Sequence, residues 1–331
     1  MTHAHTPRAR RAPRAISSLA ISSLAIAPLA FSSLAIVPSM VRADVRPLAR
    51  GWVLHERALP SGLEDVGCGD DVAYARDWFG SAARWNGASW SPLPRFTGDS
   101  YGRTLAVSPR GTLYLGGGDH VTRWDGSGWR VLPLSDWSGD VDDQLLAWGE
   151  DSLYVVGRGR IARLEGASLR TYDGGTWREL HGVSADGAEL LVAGQGGTVM
   201  RQRAGVWSRE ATGIGTTIRR LLVTGPGDVW AWADGESWQS SILLHHEGGA
   251  WVRRDLAVSE RVTSLGGRAG LALVTTETAV LRWDPASHAW TPELTAADLG
   301  PGTRLEAVCA TRQHLVVGEA SGNVIVRPLA P

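Results

Sequence analysis

The stretch that decides the fold is RTLAVSPRGTLYLGGGDHVTRWDGSGWRVLPL, Arg103 to Leu134. It divides into four short segments, RTLAVSP, TLYLGG, HVTRW and WRVLPL, with turn residues between them. Apolar residues at period two predict half-buried strands. The Asp-Gly turn before WRVLPL predicts a tight hairpin, because glycine takes a positive φ at no steric cost. The stretch therefore predicts one small antiparallel sheet of four strands.

This unit recurs along the chain. Apolar runs that correspond to LYLG start at Val72, Leu113, Leu153, Leu190, Val229, Leu271 and Leu315, in steps of 41, 40, 37, 39, 42 and 44 residues. A period of this size indicates a solenoid, a propeller or an array, and four-stranded sheets placed radially make a propeller. We predict an all-β fold, a seven-bladed β-propeller of four-stranded antiparallel blades.

The two ends of the repeat region predict how the ring closes. The last unit, RLEAVCATRQHLVVGEASGNVIVRPLAP from Arg304, stops after three strands. The segment GWVLHERALP, from Gly51, reads as a fourth strand that precedes the first full unit. We therefore expect the N-terminal strand to complete the last blade, which leaves no open sheet edge between the chain ends.

The tryptophans predict how the blades pack. The chain has 16 tryptophans against 3 phenylalanines, and many recur where an outer strand begins. A large ring at that position can cover the face of the neighbouring sheet, and regular recurrence favours packing over a set of aromatic ligand sites. The structural positions are Trp52, Trp90, Trp129, Trp177, Trp207, Trp251 and Trp290.

Two units depart from the common pattern. The third carries an extra segment, RGRIARLEGA, before SLRTYDGGTW. The fifth inserts DGESWQS between VWAWA and SILLHHEGG. Both are expected to lengthen connections on one face of the disc, where binding residues are commonly found.

The two cysteines occupy corresponding first strands of the first and last units. Cys68 lies in LEDVGCGDD and Cys309 in LEAVCATRQ, so they become neighbours if the ring closes. A disulfide is consistent with an exported protein. Two buried thiols are the alternative.

The first 43 residues form a separate region, which we interpret as a signal peptide before a single propeller domain spanning residues 44–331. Arg8, Arg10, Arg11 and Arg14 precede a stretch without charge from Ala15 to Val41, and Val41-Arg42-Ala43 offers a cleavage site. The predicted location is secreted, periplasmic or at the cell surface, with no membrane attachment after cleavage. An uncleaved anchor is the alternative, because the stretch is long enough to span a bilayer.

Charge argues against nucleic acid as a partner. Residues 44–331 carry 28 basic and 34 acidic side chains, a net charge of −6 with histidines neutral. Nucleic-acid binding needs basic patches that displace counterions, so we expect no nucleic-acid partner.

The repeats resemble those of a known class. TAVLRWDPASHAWTPEL and LYLGGGDHVTRWDGSGWRVLPL are similar to kelch-type repeats, with an apolar strand, an aromatic residue before Asp and a following Trp. DVWAWADG and WDGSGW resemble the tryptophan-rich repeats of secreted bacterial propellers. The resemblance covers Gly51 to Pro331. It implies blades and no particular activity, because propellers carry unrelated functions.

Residues able to support chemistry are few. The loop SDWSGDVDDQ holds Asp136, Asp140, Asp142 and Asp143, whose oxygens could bind calcium, although the spacing matches no EF-hand loop and a solvated acidic loop is the alternative. His245 and His246 are adjacent on a predicted strand and point to opposite faces, so they are not expected to share a metal. The sequence has no HExxH, P-loop or nucleophile-elbow motif. We expect no cofactor.

Two functions remain open from the sequence. The first is an exported, monomeric, non-catalytic scaffold that binds a protein or a glycan through loops on one face. The alternative is an extracellular hydrolase or lyase acting on carbohydrate, with its site assembled in the central funnel from several inner strands. Arginines converging on that funnel could also bind an anionic ligand.

Overall fold

The computed structural model describes residues 44–96, 104–117, 120–134, 144–149, 152–157, 159–166, 168–173, 176, 178–186, 189–237, 239–256 and 260–329. These residues contain 29 strands, two short 3₁₀ turns (Ala49–Gly51 and Gln195–Gly197) and one helix of a single turn, α1 (Ala296–Leu299). Within the described part of the chain, no helix is long and apolar enough to cross a bilayer.

Six of the sheets have four strands in chain order. In blade 1, β3 to β6 are Leu63–Cys68, Ala73–Asp77, Ala82–Trp85 and Trp90–Pro92. In blade 2, β7 to β10 are Leu105–Val107, Leu113–Gly117, His120–Trp124 and Trp129–Pro133. In blade 3, β11 to β14 are Leu145–Gly149, Ser152–Gly157, Arg160–Glu165 and Ser168–Asp173. In blade 4, β15 to β18 are Leu180–Asp186, Glu189–Gly194, Thr198–Arg203 and Val206–Glu210. In blade 5, β19 to β22 are Ile218–Gly225, Asp228–Asp234, Ser241–Glu247 and Ala250–Arg253. In blade 6, β23 to β26 are Val262–Arg268, Leu271–Thr276, Ala279–Asp284 and Ala289–Thr295.

Blade 7 joins the two ends of the propeller. It contains β27 (Leu305–Ala310), β28 (His314–Glu319) and β29 (Val324–Pro328) from the end of the chain, followed by β2 (Val53–His55) and β1 (Val45–Pro47) from its beginning. β2 pairs antiparallel with β29, with Leu54 opposite Ile325. The predicted closure is confirmed. The fifth strand, β1, was not predicted, since its three exposed residues carry no apolar pattern.

The seven sheets form a closed ring. The first strand of each blade contacts the first strand of the next blade, from β3 through β7 and onwards, and β27 returns to β3. These first strands therefore line a central channel, and the fourth strands lie at the rim. The prediction of a seven-bladed propeller is confirmed.

One apolar cluster fills each seam between neighbouring blades. In six of the seven seams, a tryptophan at the outer strand of the following blade belongs to the cluster or packs against it. These residues are Trp52, Trp90, Trp129, Trp207, Trp251 and Trp290. In three seams the indole N–H also donates to the preceding blade: Trp52 to the Glu293 carbonyl (3.1 Å), Trp129 to the Pro94 carbonyl (2.6 Å) and Trp251 to Glu210 Oε2 (2.8 Å).

Blade 3 departs from the sequence prediction. RGRIARLEGA is no insertion: Arg160–Glu165 within it is the regular third strand, and Ser168–Asp173 is the fourth. Trp177 was therefore wrongly assigned to the start of an outer strand, and it lies outside the described residues. Leu169 occupies the corresponding position, opposite Leu164, and packs in the seam between blades 2 and 3. In the sequence, Gly-Ala stands between these two strands where other units have the Asp-Gly signal, which explains the misassignment.

The first and last blades are also covalently linked. Cys68 and Cys309 lie near the ends of β3 and β27, with their Cα atoms 5.7 Å apart and their sulfurs bonded. Of the two sequence hypotheses, the disulfide is therefore the one that the structure contains. It joins two strands that line the channel.

Candidate functional site

The two faces of the disc carry different connections. We call the face where the innermost strands begin the front face. It holds the links between successive blades and the turns between second and third strands. The opposite back face holds the turns between first and second strands and between third and fourth strands. The predicted loop insertion in blade 5 lies between β20 and β21, on the front face.

A repeated β-bulge organises the channel at the front face. In blades 1, 4, 5, 6 and 7 the pairing register shifts after the first residue of the innermost strand. A bulge changes the direction of the following side chains. In three blades, the residue just after the bulge is polar, namely Asp65, Arg220 or Ser264. These equivalent positions of blades 1, 5 and 6 meet in the channel.

Arg220 spans the channel at this level. Its Nη2 lies 3.3 Å from Asp65 Oδ2, and its Nη1 lies 3.3 Å from Ser264 Oγ. Blades 1 and 5 are not neighbours in the ring, so this ion pair crosses the open centre. Asp65 is 5% exposed. Burial raises the pKa of Asp65, and the Arg220 charge opposes that rise.

Gln144 makes a second connection across the channel. Its amide oxygen accepts from the backbone N–H groups of Val183 (3.2 Å) and Leu221 (3.0 Å), and its amide nitrogen donates to the Leu221 carbonyl (3.0 Å). One side chain that precedes blade 3 thus holds blades 4 and 5. Hydrogen bonds and an ion pair made by Gln144 and Arg220 therefore join different blades across the channel, in addition to apolar packing between neighbouring blades.

Replacing Arg220 by methionine is expected to destabilise the fold by about 3–5 kcal/mol at pH 7, because Asp65 stays buried without its cation. Removal of Arg220 raises the pKa of Asp65 in the folded state further above its unfolded value. The folded state then binds the proton more tightly, so the loss shrinks as pH falls towards 5. Urea unfolding at both pH values measures this effect. An equal loss at both would contradict it, and Asp65→Asn combined with Arg220→Met should recover most of the stability.

An exposed aromatic pair marks the front face of blade 1. Trp78 is 54% exposed and Phe79 is 65% exposed, in the turn between β4 and β5. The turn is fixed by the buried Asp77, whose Oδ1 accepts from the N–H groups of Phe79 (3.0 Å) and Ser81 (2.7 Å). Asp77 Oδ2 accepts from Ser61 Oγ at 2.5 Å, and the Trp78 N–H donates to the Gly62 carbonyl at 3.2 Å. Two large apolar side chains are thus held in solvent on a rigid support.

A polar cavity lies on the front face of blade 5. Its volume is about 350 Å³, and it is formed by the predicted loop insertion, the bulged residue of β19 and the start of blade 6. The lining residues are Arg219, Asp234, Gly235, Glu236, Ser237, Ser240 and Arg261. Arg219 pairs with Asp234 through Nε (2.9 Å) and Nη2 (2.7 Å). The cavity therefore offers hydroxyls, carboxylates and guanidinium groups next to the channel mouth.

The structure describes only some of the candidate site residues predicted from the sequence. Asp136, Asp140, Asp142 and Asp143 lie outside the described residues. Within the described ranges, no three His, Cys, Asp or Glu side chains are placed to hold a metal ion. His245 is buried beside Trp230, and His246 packs against Trp251 on the opposite face of the same strand. The sequence reasoning missed Trp78 and Phe79. The available signal was an aromatic pair outside the repeating tryptophan positions.

Fold and channel together define this chain as a seven-bladed β-propeller, and known structures agree. The chain is similar to YCF48 bound to a D1 peptide (TM-score 0.64, 13% identity, covering 87% of this chain and 100% of that one). It is also similar to the WD40 propeller domain of Doa1 (TM-score 0.64, 13% identity, 81% and 93% covered). A third similar structure is virginiamycin B lyase from Staphylococcus aureus (TM-score 0.65, 10% identity, 87% and 99% covered).

These likenesses concern the fold alone, because the identities are so low. No protein-family model matches the sequence, and no curated protein matches it.

Proposed function

We propose that this protein is an exported, monomeric, non-catalytic scaffold that binds a protein or a glycan through the loops of its front face. The exposed Trp78–Phe79 pair carries the proposal. Neither side chain belongs to a core cluster and each is more than half exposed on a fixed turn, and exposed aromatic residues of this kind supply much of the energy at binding interfaces. The blade 5 cavity opens on the same face and adds polar groups for specificity.

The structural neighbours support a binding role in a general way. One of them, YCF48, is described as bound to a peptide, and another contains WD40 repeats. The kelch-like and tryptophan-rich character remains part of the proposal, resting on the repeat phrases. Export rests on residues 1–43. N-terminal sequencing of protein from culture medium should begin at Asp44, and protein retained in membranes with its first residues intact would contradict cleavage.

The test of the binding role compares the native protein with the double variant Trp78→Ser, Phe79→Ser. Loss of two exposed rings should leave the unfolding free energy within about 0.5 kcal/mol, as for other surface substitutions. Capture of extracellular proteins and binding to a glycan array should fall by at least about tenfold, the size expected for interface aromatics. The measurement is quantitative capture followed by affinity determination for each recovered ligand.

Val206 provides a matched control, because it is 70% exposed on the outer strand of blade 4 and away from the front face. Val206→Ser should not alter capture. Equal capture by the native protein and the Trp78/Phe79 variant would exclude this pair as the binding surface.

A second function is favoured by two carboxyl groups near the channel mouth, the buried Asp65 and the partly buried Glu306. Burial raises the pKa of Asp65 and also that of Glu306, and a raised pKa is what a general acid requires. One structural neighbour is a lyase. The glycan experiment separates the two functions. A scaffold returns bound glycan intact, whereas a hydrolase or lyase returns shortened chains and loses that activity in Glu306→Gln.

A further inference from the structure

A second cavity lies on the back face, between blades 5 and 6. It has a volume of about 380 Å³ and is bordered by glycine-containing turns of both blades. Its wall contains Trp230, Trp283, His245, Asp228 and Glu247. It is separate from the front-face site in both location and composition.

His245 fixes the carboxylate of Asp228 in this cleft. The His245 ring stacks on Trp230, with centroids 4.0 Å apart and planes inclined by 8°. Burial lowers the pKa of His245 more than its hydrogen bond to Asp228 raises it, which favours the neutral ring. Its Nε2 donates to Asp228 Oδ1 at 2.5 Å, and Thr224 Oγ1 donates to Asp228 Oδ2 at 2.8 Å.

The cleft holds more acceptors than donors. Asp228 has a side chain 44% exposed, and its described partners are a neutral imidazole and a hydroxyl. The other nitrogen of His245, Nδ1, has no hydrogen-bond donor among the described residues and lies 3.3 Å from Glu247 Oε2. In the neutral ring Nδ1 is an acceptor, as is the Glu247 carboxylate, so this pair favours an N–H donor from a bound ligand. Carboxylates that keep part of their exposure attract a positive charge.

The same wall already holds one cation of the chain itself. The Arg254 guanidinium lies over the Trp283 ring, 5.5 Å from its centroid, and pairs with Glu247. This contact shows that the wall accommodates a guanidinium between an aromatic ring and a carboxylate. Arg254 balances Glu247, which leaves the Asp228 charge without a cationic partner among the described residues.

We propose that the cleft between blades 5 and 6 binds an organic cation, an alkylammonium or guanidinium group, with Asp228 as its counter-charge. The cation is either a free amine or the side chain of a basic residue in a peptide. The groups that face it are Asp228, Glu247 and His246, together with the protein's own Arg254. This proposal does not depend on the front-face function.

The experiment uses the full mature chain at pH 7.5 and titrates methylguanidinium, putrescine and a blocked Gly-Arg-Gly peptide by calorimetry. The variant is Asp228→Asn, which keeps the shape and removes the charge: the amide oxygen still accepts from His245 Nε2, and the amide N–H donates to the Thr224 hydroxyl, reversing that bond. The control is Asp125→Asn, an exposed carboxylate in the turn after the third strand of blade 2. Unfolding midpoints verify that both variants are folded. If Asp228→Asn does not fold, Glu247→Gln replaces it as the test variant.

Saturable binding of at least one probe is expected in the native protein and in Asp125→Asn, with affinity about tenfold lower in Asp228→Asn because a charge-assisted hydrogen bond is lost. Preference for putrescine identifies a free amine as the ligand class, and preference for the arginine peptide identifies a basic side chain. Absence of saturable binding, or equal binding by all variants, overturns the proposal.

Discussion

Deletion of Gly51 to Pro60 is expected to abolish cooperative folding of the propeller. The segment supplies β2, the strand that completes blade 7, and with it three buried apolar residues, Trp52, Leu54 and Leu59. Loss of a buried tryptophan costs about 3–5 kcal/mol and loss of each buried leucine about 2–5 kcal/mol. Their sum reaches the whole stability of a typical domain, about 5–15 kcal/mol.

Trp52 makes the strongest contribution within this segment. Its ring is 1% exposed, its N–H donates to the Glu293 carbonyl of blade 6, and Arg327 lies over it at 4.8 Å. The single change Trp52→Ala is therefore expected to cost about 3–5 kcal/mol. It provides a measurable variant if the deletion yields no soluble protein.

The control for this prediction is deletion of Val45 to Pro47. That removes β1, whose three residues are exposed, and should change the unfolding free energy by about 1 kcal/mol or less. Urea unfolding followed by near-ultraviolet circular dichroism compares the variants. An unchanged midpoint after deletion of Gly51 to Pro60 would refute the role of β2 as the closing strand.

Loss of the disulfide is expected to produce the second largest effect. Cys68 and Cys309 are separated by 241 positions in the chain, so their bond restricts a very long loop in the unfolded state. The chain-entropy model gives a stabilisation of roughly 5 kcal/mol at most for a loop of this length. The variant Cys68→Ala, Cys309→Ala should therefore unfold at a much lower urea concentration than the oxidised protein.

Reduction supplies the matched control. Treatment with a phosphine reductant should lower the midpoint of the native protein to that of the alanine variant and should not affect the variant itself. Thiol labelling of the denatured, unreduced native protein should find no reactive cysteine. Two reactive thiols would show that the bond does not form, and identical midpoints before and after reduction would show that it does not stabilise the fold.

The repeat was readable from the sequence because each blade carries local signals. Glycine-containing turns and period-two strands act over a few residues, so they survive in most units. Where the local signal changes, prediction fails. The sequence of blade 3 lacks the Asp-Gly signal between its third and fourth strands, and the blade places Leu169 where other blades place tryptophan, so the TYDGGTW phrase misled the assignment.

Contacts across the channel could not be predicted. Asp65 and Arg220 are 155 positions apart and come together through ring closure and through bulges at the start of their strands. Ring closure was predicted from the sequence, but the bulges that turn these two side chains towards each other leave no mark in a single sequence. The front face was predicted in part, because the DGESWQS insertion was visible, whereas the exposure of Trp78 and Phe79 depends on the fold around Asp77.

The central claim is that the first and last repeats are adjacent and close a ring. Mass spectrometry of a protease digest, prepared without reduction and with free thiols blocked, tests it directly. Adjacent first and last repeats predict one peptide pair, containing Cys68 and Cys309, that separates on reduction. Recovery of links only between two molecules contradicts the closed ring, whereas recovery of both peptides singly in the blocked form contradicts the disulfide.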